Sequence, residues 1–466
     1  MITLSLVDLM LIAVYFAAVI GIGFMSVRRK QTDTVDFLLA GRSLTLPLFV
    51  MTLVSTWYGG ILGVGEFSFR YGISNWVVQG LPYYLFAVVF AFTLAKRIRA
   101  SNLLTIPDKL EDAYGKGPAV FGSVLTFMLM TPAPYILMLA VLLQMVTGWS
   151  LFACVVLGTI ATTVYLAFGG FRSDVYTDVF EFILMFLGFA VILPFAYDKF
   201  GGWDFIRTHV PPLHLTWNGG NSIQFVLVWF FIALWTLVDP SFHQRCYAAK
   251  SGQIAQKGIL VSIVFWFVFD AMTATAGLYS RAALPDLTEP MMAFPMLAEV
   301  TLPPVAKGLF TIGMLATIMS SLNTLAFISA TTVGRDIVWR LRHEKDDSKV
   351  PGYTRWGLVV TALLAMFLCM TIPSVIGLWY MIGTVIVPGL LVAVVTGYFR
   401  RLTVPGGYAF GAMVAGWLTS TVWLLIGWSS EMGATDNFPL GIEPMFPGII
   451  ASLCVWGMGM VRGTER

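Results

Sequence analysis

Long apolar runs separated by short polar connectors dominate the chain, and the period-two alternation of outer-membrane strands is absent. Each run is about 20 residues or more, enough to cross ~30 Å of hydrocarbon as a helix. The pattern predicts thirteen spans: 5–27, 46–72, 74–95, 119–147, 150–170, 174–199, 223–246, 257–281, 305–335, 353–372, 374–399, 407–428 and 445–462. The first is too long for a signal peptide and lacks its basic start and cleavage site. The connectors 200–222, 282–304 and 429–444 are the longest and read as external loops with short helices.

Composition agrees. The 466 residues are 58% hydrophobic and 11% charged, with a mean hydropathy of +0.82, too few charges for a water-exposed surface of this size. An all-α polytopic membrane protein, with the lipid bilayer as its surroundings, is the expected class. Of the 28 Lys and Arg, all but Arg70, Lys199, Arg207, Arg281 and Lys307 fall on one side if the N-terminus is outside; "SVRRKQTD", "AKRIRAS", "WRLRHEKDDSK" and "YFRRL" then face the cytoplasm, as does the C-terminus. The net charge of +3 therefore reflects topology, and no basic-aromatic patch suggests nucleic acid. Cys154, Cys246, Cys369 and Cys454 lie in spans or cytoplasmic positions unsuited to disulfides, and His209, His214, His243 and His343 lack metal-ligand spacing. No Walker loop or dinucleotide fingerprint appears, and no His/Glu or Ser–His arrangement suggests an enzyme.

Three stretches carry chemistry. In "VYLAFGGFRSDVYTDVFEF", 164–182, three carboxylates open an apolar segment. Asp174 reads as a first-turn carboxylate capping free N–H groups. Asp178 and Glu181 lie deeper, where a carboxylate needs a cation or other partner. In "MLATIMSSLNTLAFISATT", 314–332, Thr317, Ser320, Ser321 and Thr324 recur at helical spacing as one hydroxyl stripe flanked by Asn323. Single hydroxyls there often bond back to the i−4 carbonyl, but such a stripe suits a hard cation such as sodium. In "TLVSTWYGGILGVGEF", 52–67, Gly59, Gly60, Gly63 and Gly65 permit either close helix packing or an unwound segment with bare carbonyls. Glu66 and Asp270 are further intramembrane carboxylates without an assigned role.

Together these stretches resemble the sodium/solute symporter family. Gly169-Gly170 with Thr177-Asp178 matches its "GG…TD" pattern, Glu181 standing where glutamine is usual. "MSSLNT" matches its hydroxyl-rich ninth helix, "GVGEFSFRYGI" the end of its second, and "IPDKLEDAYG" and "PSFHQRCYAAKS" its loop motifs. The resemblance covers essentially the whole chain. It implies one transporter domain over 1–466 with a LeuT-type core of two inverted five-helix repeats, 46–199 and 223–399. A peripheral first helix, 5–27, and two C-terminal helices within 407–462 flank that core. It further implies a central sodium held by the carbonyls of Leu53, Thr56 and Thr317 and the hydroxyls of Ser320 and Ser321. A second sodium would use Asp178, Asn323 and Thr324; Asn323 departs from the serine of the best match. The stretch "TWYGG" is nearest to the choline-type branch, whose aromatic cage corresponds to Trp57 and Tyr135, with Asp239 at its third position. Ser55, Tyr58 and Trp235 complete the expected substrate set, and an amine or amino-acid-like solute is the implied cargo.

The expected function is sodium-coupled uptake of a small organic solute by a monomer in a bacterial inner membrane. The alternatives are proton-coupled or uncoupled transport with Asp178 titrating, and a transporter-like sensor.

Overall fold

The computed structural model describes residues 3–27, 34–166, 170–344, 346–428 and 438–463. Gly169, the 28–30 basic cluster and most of the 429–444 connector lie outside them. Among the described residues the chain is helical, with one isolated β-bridge and no strand. Among the described residues eleven helices are long and apolar enough to cross a membrane, or twelve with the bent pair counted as one span. Where a span is expected at 150–170, the Leu151–Leu166 helix is a shorter apolar one.

Six helices build the candidate site and are labelled in chain order: α1 (Leu46–Trp57), α2 (Ile61–Tyr71), α3 (Phe171–Phe200), α4 (Pro240–Ala248), α5 (Gly252–Ala283) and α6 (Ala306–Thr331). α1 and α2 are the bent pair, meeting at 57°. The glycines at the break answer both readings of that stretch. The chain leaves helix at Gly59 and Gly60, and a methyl group on Gly59 would run into the Ser321 and Tyr135 side chains, on Gly60 into Trp379. The expected span 223–246 is likewise interrupted, as Ile223–Ile232, Trp235–Val238 and α4. Here the sequence reading of "PSFHQRCYAAKS" as a loop is corrected: Pro240 is the first residue of a helix whose nine residues are all buried. Proline's missing N–H costs nothing at that position. Asp239, the residue that follows the Trp235–Val238 helix, also caps the start of α4.

α6 is the axis of the bundle. Every residue from Phe310 to Thr331 is buried, as expected of a helix apolar all round, and its path continues to Trp339 in wider π-type turns. By contrast Leu6–Val27 exposes Leu6, Met10 and Val14, side chains suited to lipid. A parallel bridge between Leu44 and Ala249 ties the start of α1 to the end of α4, through Leu44 N–H to the Ala248 carbonyl at 3.1 Å and Lys250 N–H to the Leu44 carbonyl at 3.0 Å. Beyond the spans, Asp108 of the Ile106–Tyr114 helix lies 2.9 Å from Arg335 and 2.7 Å from Arg340. Burial pushes its carboxyl up, but the two guanidinium groups outweigh this and hold it below the ordinary carboxylate range.

α3 and α6 cross at glycines. A Cβ on Gly188 would lie 2.7 Å from the Gly313 Cα, and one on Gly313 2.8 Å from the Gly188 Cα. In lipid, such backbone approach is a main source of helix association. Gly188→Val is therefore expected to destabilise the protein by about 1–3 kcal/mol, measured as a fall in melting temperature in detergent, with Gly188→Ala milder. Equal stability of both variants and wild type would refute the close crossing.

Candidate functional site

α1 ends at Trp57, so the carbonyls of its last turn, Thr56 among them, have no N–H four residues on. α6 crosses opposite this open end. The Ser321 hydroxyl donates to the Thr56 carbonyl, and the Thr56 and Thr324 hydroxyls lie 3.2 Å apart. Leu53, Thr56, Thr317, Ser320 and Ser321 are all at most 3% exposed. Ser320, Ser321 and Thr324 bond to atoms of α1 and α3, and so form a polar seam between helices. Thr317 donates to the Gly313 carbonyl four residues back, the ordinary fate of an intramembrane hydroxyl.

The carboxylates of α3 occupy the same seam. Asp178 is fully buried; its Oδ1 accepts from Ser320 at 2.5 Å and its Oδ2 from Arg245 of α4 at 3.1 Å. The sequence indicated that Asp178 needs a cation, and the cation beside it is this guanidinium. Arg245 is 0% exposed, and the same Nη2 also donates to the Thr56 hydroxyl at 2.6 Å and the Thr324 hydroxyl at 3.1 Å. Asp174 does not cap its helix, which corrects the sequence reading. Gly170 is the capping residue and Asp174 lies in the first turn as expected, but its Oδ2 turns to another helix and accepts from the Thr324 hydroxyl at 2.6 Å. Glu181 accepts from the Tyr15 hydroxyl at 3.2 Å. Asn323 is buried with neither its amide oxygen nor its amide nitrogen bonded.

Beside the break lies a cavity of about 110 Å³. Of the expected substrate residues, Trp57, Tyr58, Tyr135, Trp235 and Asp239 line it. Ser55 does not; its hydroxyl bonds to the Met51 carbonyl at 2.9 Å. Asp239 Oδ1 caps α4, accepting from Ser241 N at 2.7 Å, the Ser241 hydroxyl at 2.6 Å and Phe242 N at 3.4 Å. Asp270 of α5 also reaches the cavity and accepts from the Tyr58 and Tyr84 hydroxyls. The Gln79 amide nitrogen and the Trp235 indole nitrogen are buried there without partners. The lining contains two carboxylates and no Lys, Arg or His. Glu66 lies apart, paired with Arg70 at 3.1 Å.

Sequence reasoning missed Arg245, Gln79, Tyr83, Tyr84 and Trp379. The available signal for Arg245 was its place inside the span expected at 223–246; an arginine there needs a buried partner. The others carry no spacing signal, because the cavity gathers them from separate helices.

Residues 37–417 match the model of the Sodium:solute symporter family. The chain is 25% identical to the sodium/pantothenate symporter of Escherichia coli K12, over 97% of this chain and 95% of that one. It is 24% identical to the high-affinity choline transporter 1 of Drosophila melanogaster, over 82% and 66%. Its fold matches a Na⁺-coupled sialic acid symporter, solved substrate-bound and outward-open, with a TM-score of 0.80 at 16% identity over 99% of this chain and 98% of that one. The architecture is thus the LeuT-type helical bundle. With the family's model matched from the segment before α1 to far beyond α6, the chain belongs to the sodium:solute symporter family.

Proposed function

We propose that this protein couples inward sodium flow to uptake of a small organic solute by alternating access. The observation that carries the reading is the open end of α1 facing the hydroxyl stripe of α6, with the Ser321 hydroxyl on the Thr56 carbonyl. Neutral oxygens converging on a helix break are what a hard monovalent cation needs. The central ion is assigned to the carbonyls of Leu53, Thr56 and Thr317 and the hydroxyls of Ser320 and Ser321. One such ion crossing 100 mV supplies about 2.3 kcal/mol, before its concentration gradient is added. The repeats are assigned to 46–199 and 223–399, and the N-terminus to the outside of a bacterial inner membrane, with the monomer as the working unit.

The solute is assigned an ammonium group, as an amine or amino-acid-like molecule. Asp239, Asp270 and the aromatic walls of the cavity attract a cation, and no basic lining residue opposes it. The indole N–H of Trp235 and the Gln79 amide offer donors to an acceptor at the solute's other end. Pantothenate and choline carry opposite charges, so the relatives' names leave this choice to the cavity.

Sodium at 100 times its dissociation constant is expected to stabilise the purified protein by about 2.7 kcal/mol. The check is a melting series in sodium against a large organic cation at constant ionic strength. Ser321→Ala is expected to lose most of that gain. A wild-type protein indifferent to sodium at every pH would refute sodium coupling and favour the proton.

A further inference from the structure

Four residues with a buried polar atom that has no hydrogen-bond partner line one cavity of about 30 Å³: Thr126 and Thr331 through their hydroxyls, Gln244 through Oε1 and Asp336 through Oδ2. None of the four is more than 8% exposed. Gln244 spends its amide nitrogen on the Leu38 carbonyl at 3.1 Å. Asp336 spends Oδ1 on Arg335 at 2.7 Å and on the Thr105 hydroxyl at 3.0 Å. The atoms left over can all accept hydrogen bonds. This cavity lies one helical turn, ~5.4 Å, beyond the aromatic one, along the same helices. Met130 lines the aromatic cavity and Thr126 this one; on α6 Leu325 gives way to Ile328, and on α4 Ser241 gives way to Gln244. The step runs towards Arg335 and Arg340, on the side assigned to the cytoplasm.

We propose that this cavity is a release-side subsite for the transported solute, which holds its ammonium group on the four acceptors after it leaves Asp239. The proposal rests on the symport reading above and on its amine cargo, and gives that cargo a second station. An ammonium moving from Asp239 straight into apolar protein would be uncompensated, at a large cost. Weak sites in series let a charge leave as readily as it enters. Charge favours a cation here over a water. Asp108, Glu111 and Asp336 are three carboxylates that share two guanidinium groups, those of Arg335 and Arg340. His243, also on the wall, donates to the Leu237 carbonyl at 3.1 Å and accepts from the Tyr398 hydroxyl at 3.3 Å, as a neutral ring does. The volume suits about two water-sized bodies, or one ammonium with its first carbon.

The test is equilibrium binding of radiolabelled methylammonium to the purified full-length chain in sodium chloride. Wild type is expected to bind two ions. Asp239→Asn should weaken one, and the double variant Thr126→Val with Thr331→Val the other, each by about tenfold or more. Valine keeps threonine's shape and removes only unpartnered hydroxyls, so the double variant should melt no lower than wild type. A single ion in wild type, weakened in Asp239→Asn and untouched in the double variant, would overturn the proposal, leave water alone in this cavity and keep the symport reading standing. Two ions of which the double variant weakens neither would overturn it too, as would displacement of the inner ion by equimolar potassium. No methylammonium binding to a protein that sodium still stabilises would refute the amine cargo and this subsite together, with sodium coupling intact. Two ions bound as expected by a protein indifferent to sodium would uphold the subsite and refute the coupling.

Discussion

Arg245→Met is expected to destabilise the protein by about 3–5 kcal/mol, the usual cost of removing one partner from a buried ion pair. Its guanidinium is wholly buried and one nitrogen contacts Asp178, Thr56 and Thr324 at 2.6–3.1 Å. Methionine fills much of the same volume, so the loss is mainly electrostatic: Asp178 keeps only the Ser320 and Thr56 hydroxyls, and Asp174 loses its nearest cation. Arg245→Lys should fall between, because an ammonium cannot reproduce the planar fork. Melting curves in detergent check all three proteins. Combining Arg245→Met with Asp178→Asn should recover at least half the loss, since both charges leave together. A single Arg245→Met protein as stable as wild type would mean that no buried pair exists.

Asp239→Asn is expected to raise the KM for a cationic substrate about 10–100-fold, with little change in melting temperature. Asparagine is as good a helix cap as aspartate, so the bonds to Ser241 and Phe242 at the start of α4 survive. What disappears is a negative charge on the cavity wall, and a hydrogen bond to a charged group contributes about 1.5–3 kcal/mol. Uptake into proteoliposomes measures the change, and sodium-induced stabilisation of the same variant should stay as in wild type. An unchanged KM for every amine transported would remove Asp239 from substrate recognition.

What the sequence made legible was periodic and local. The stripe Thr317, Ser320, Ser321, Thr324 follows from helical spacing, and the bundle buries it against α1 and α3 as that spacing implies. The four glycines of 59–65 permitted either close packing or a break, and the break falls at Gly59 and Gly60. Asp178 was recognisable as a carboxylate in need of a cation. Its partner was not, because Arg245 is 67 residues away on another helix, in a stretch whose proline reads equally well as loop punctuation. Asp174 misled for a related reason. A carboxylate in a helix's first turn suggests a cap, and Asp174 is in that turn, yet its carboxylate bonds to a neighbouring helix instead. Asn323 stood out only as a polar flank to the stripe, and its unbonded amide is a fact of three-dimensional placement.

The Gly188–Gly313 crossing has a mechanical consequence. With backbone resting on backbone at that crossing, and with the Ser320–Asp178 and Thr324–Asp174 hydrogen bonds and the Phe189–Phe310 ring contact beside it, α3 and α6 are tightly coupled and would move together. Asp174, Asp178 and the hydroxyl stripe lie on that pair, while Leu53 and Thr56 lie on α1, which ends at its 57° elbow with α2. An ion at the proposed central site would then be a clasp between two lever arms, and undoing the clasp would be part of the same movement that opens the inner gate.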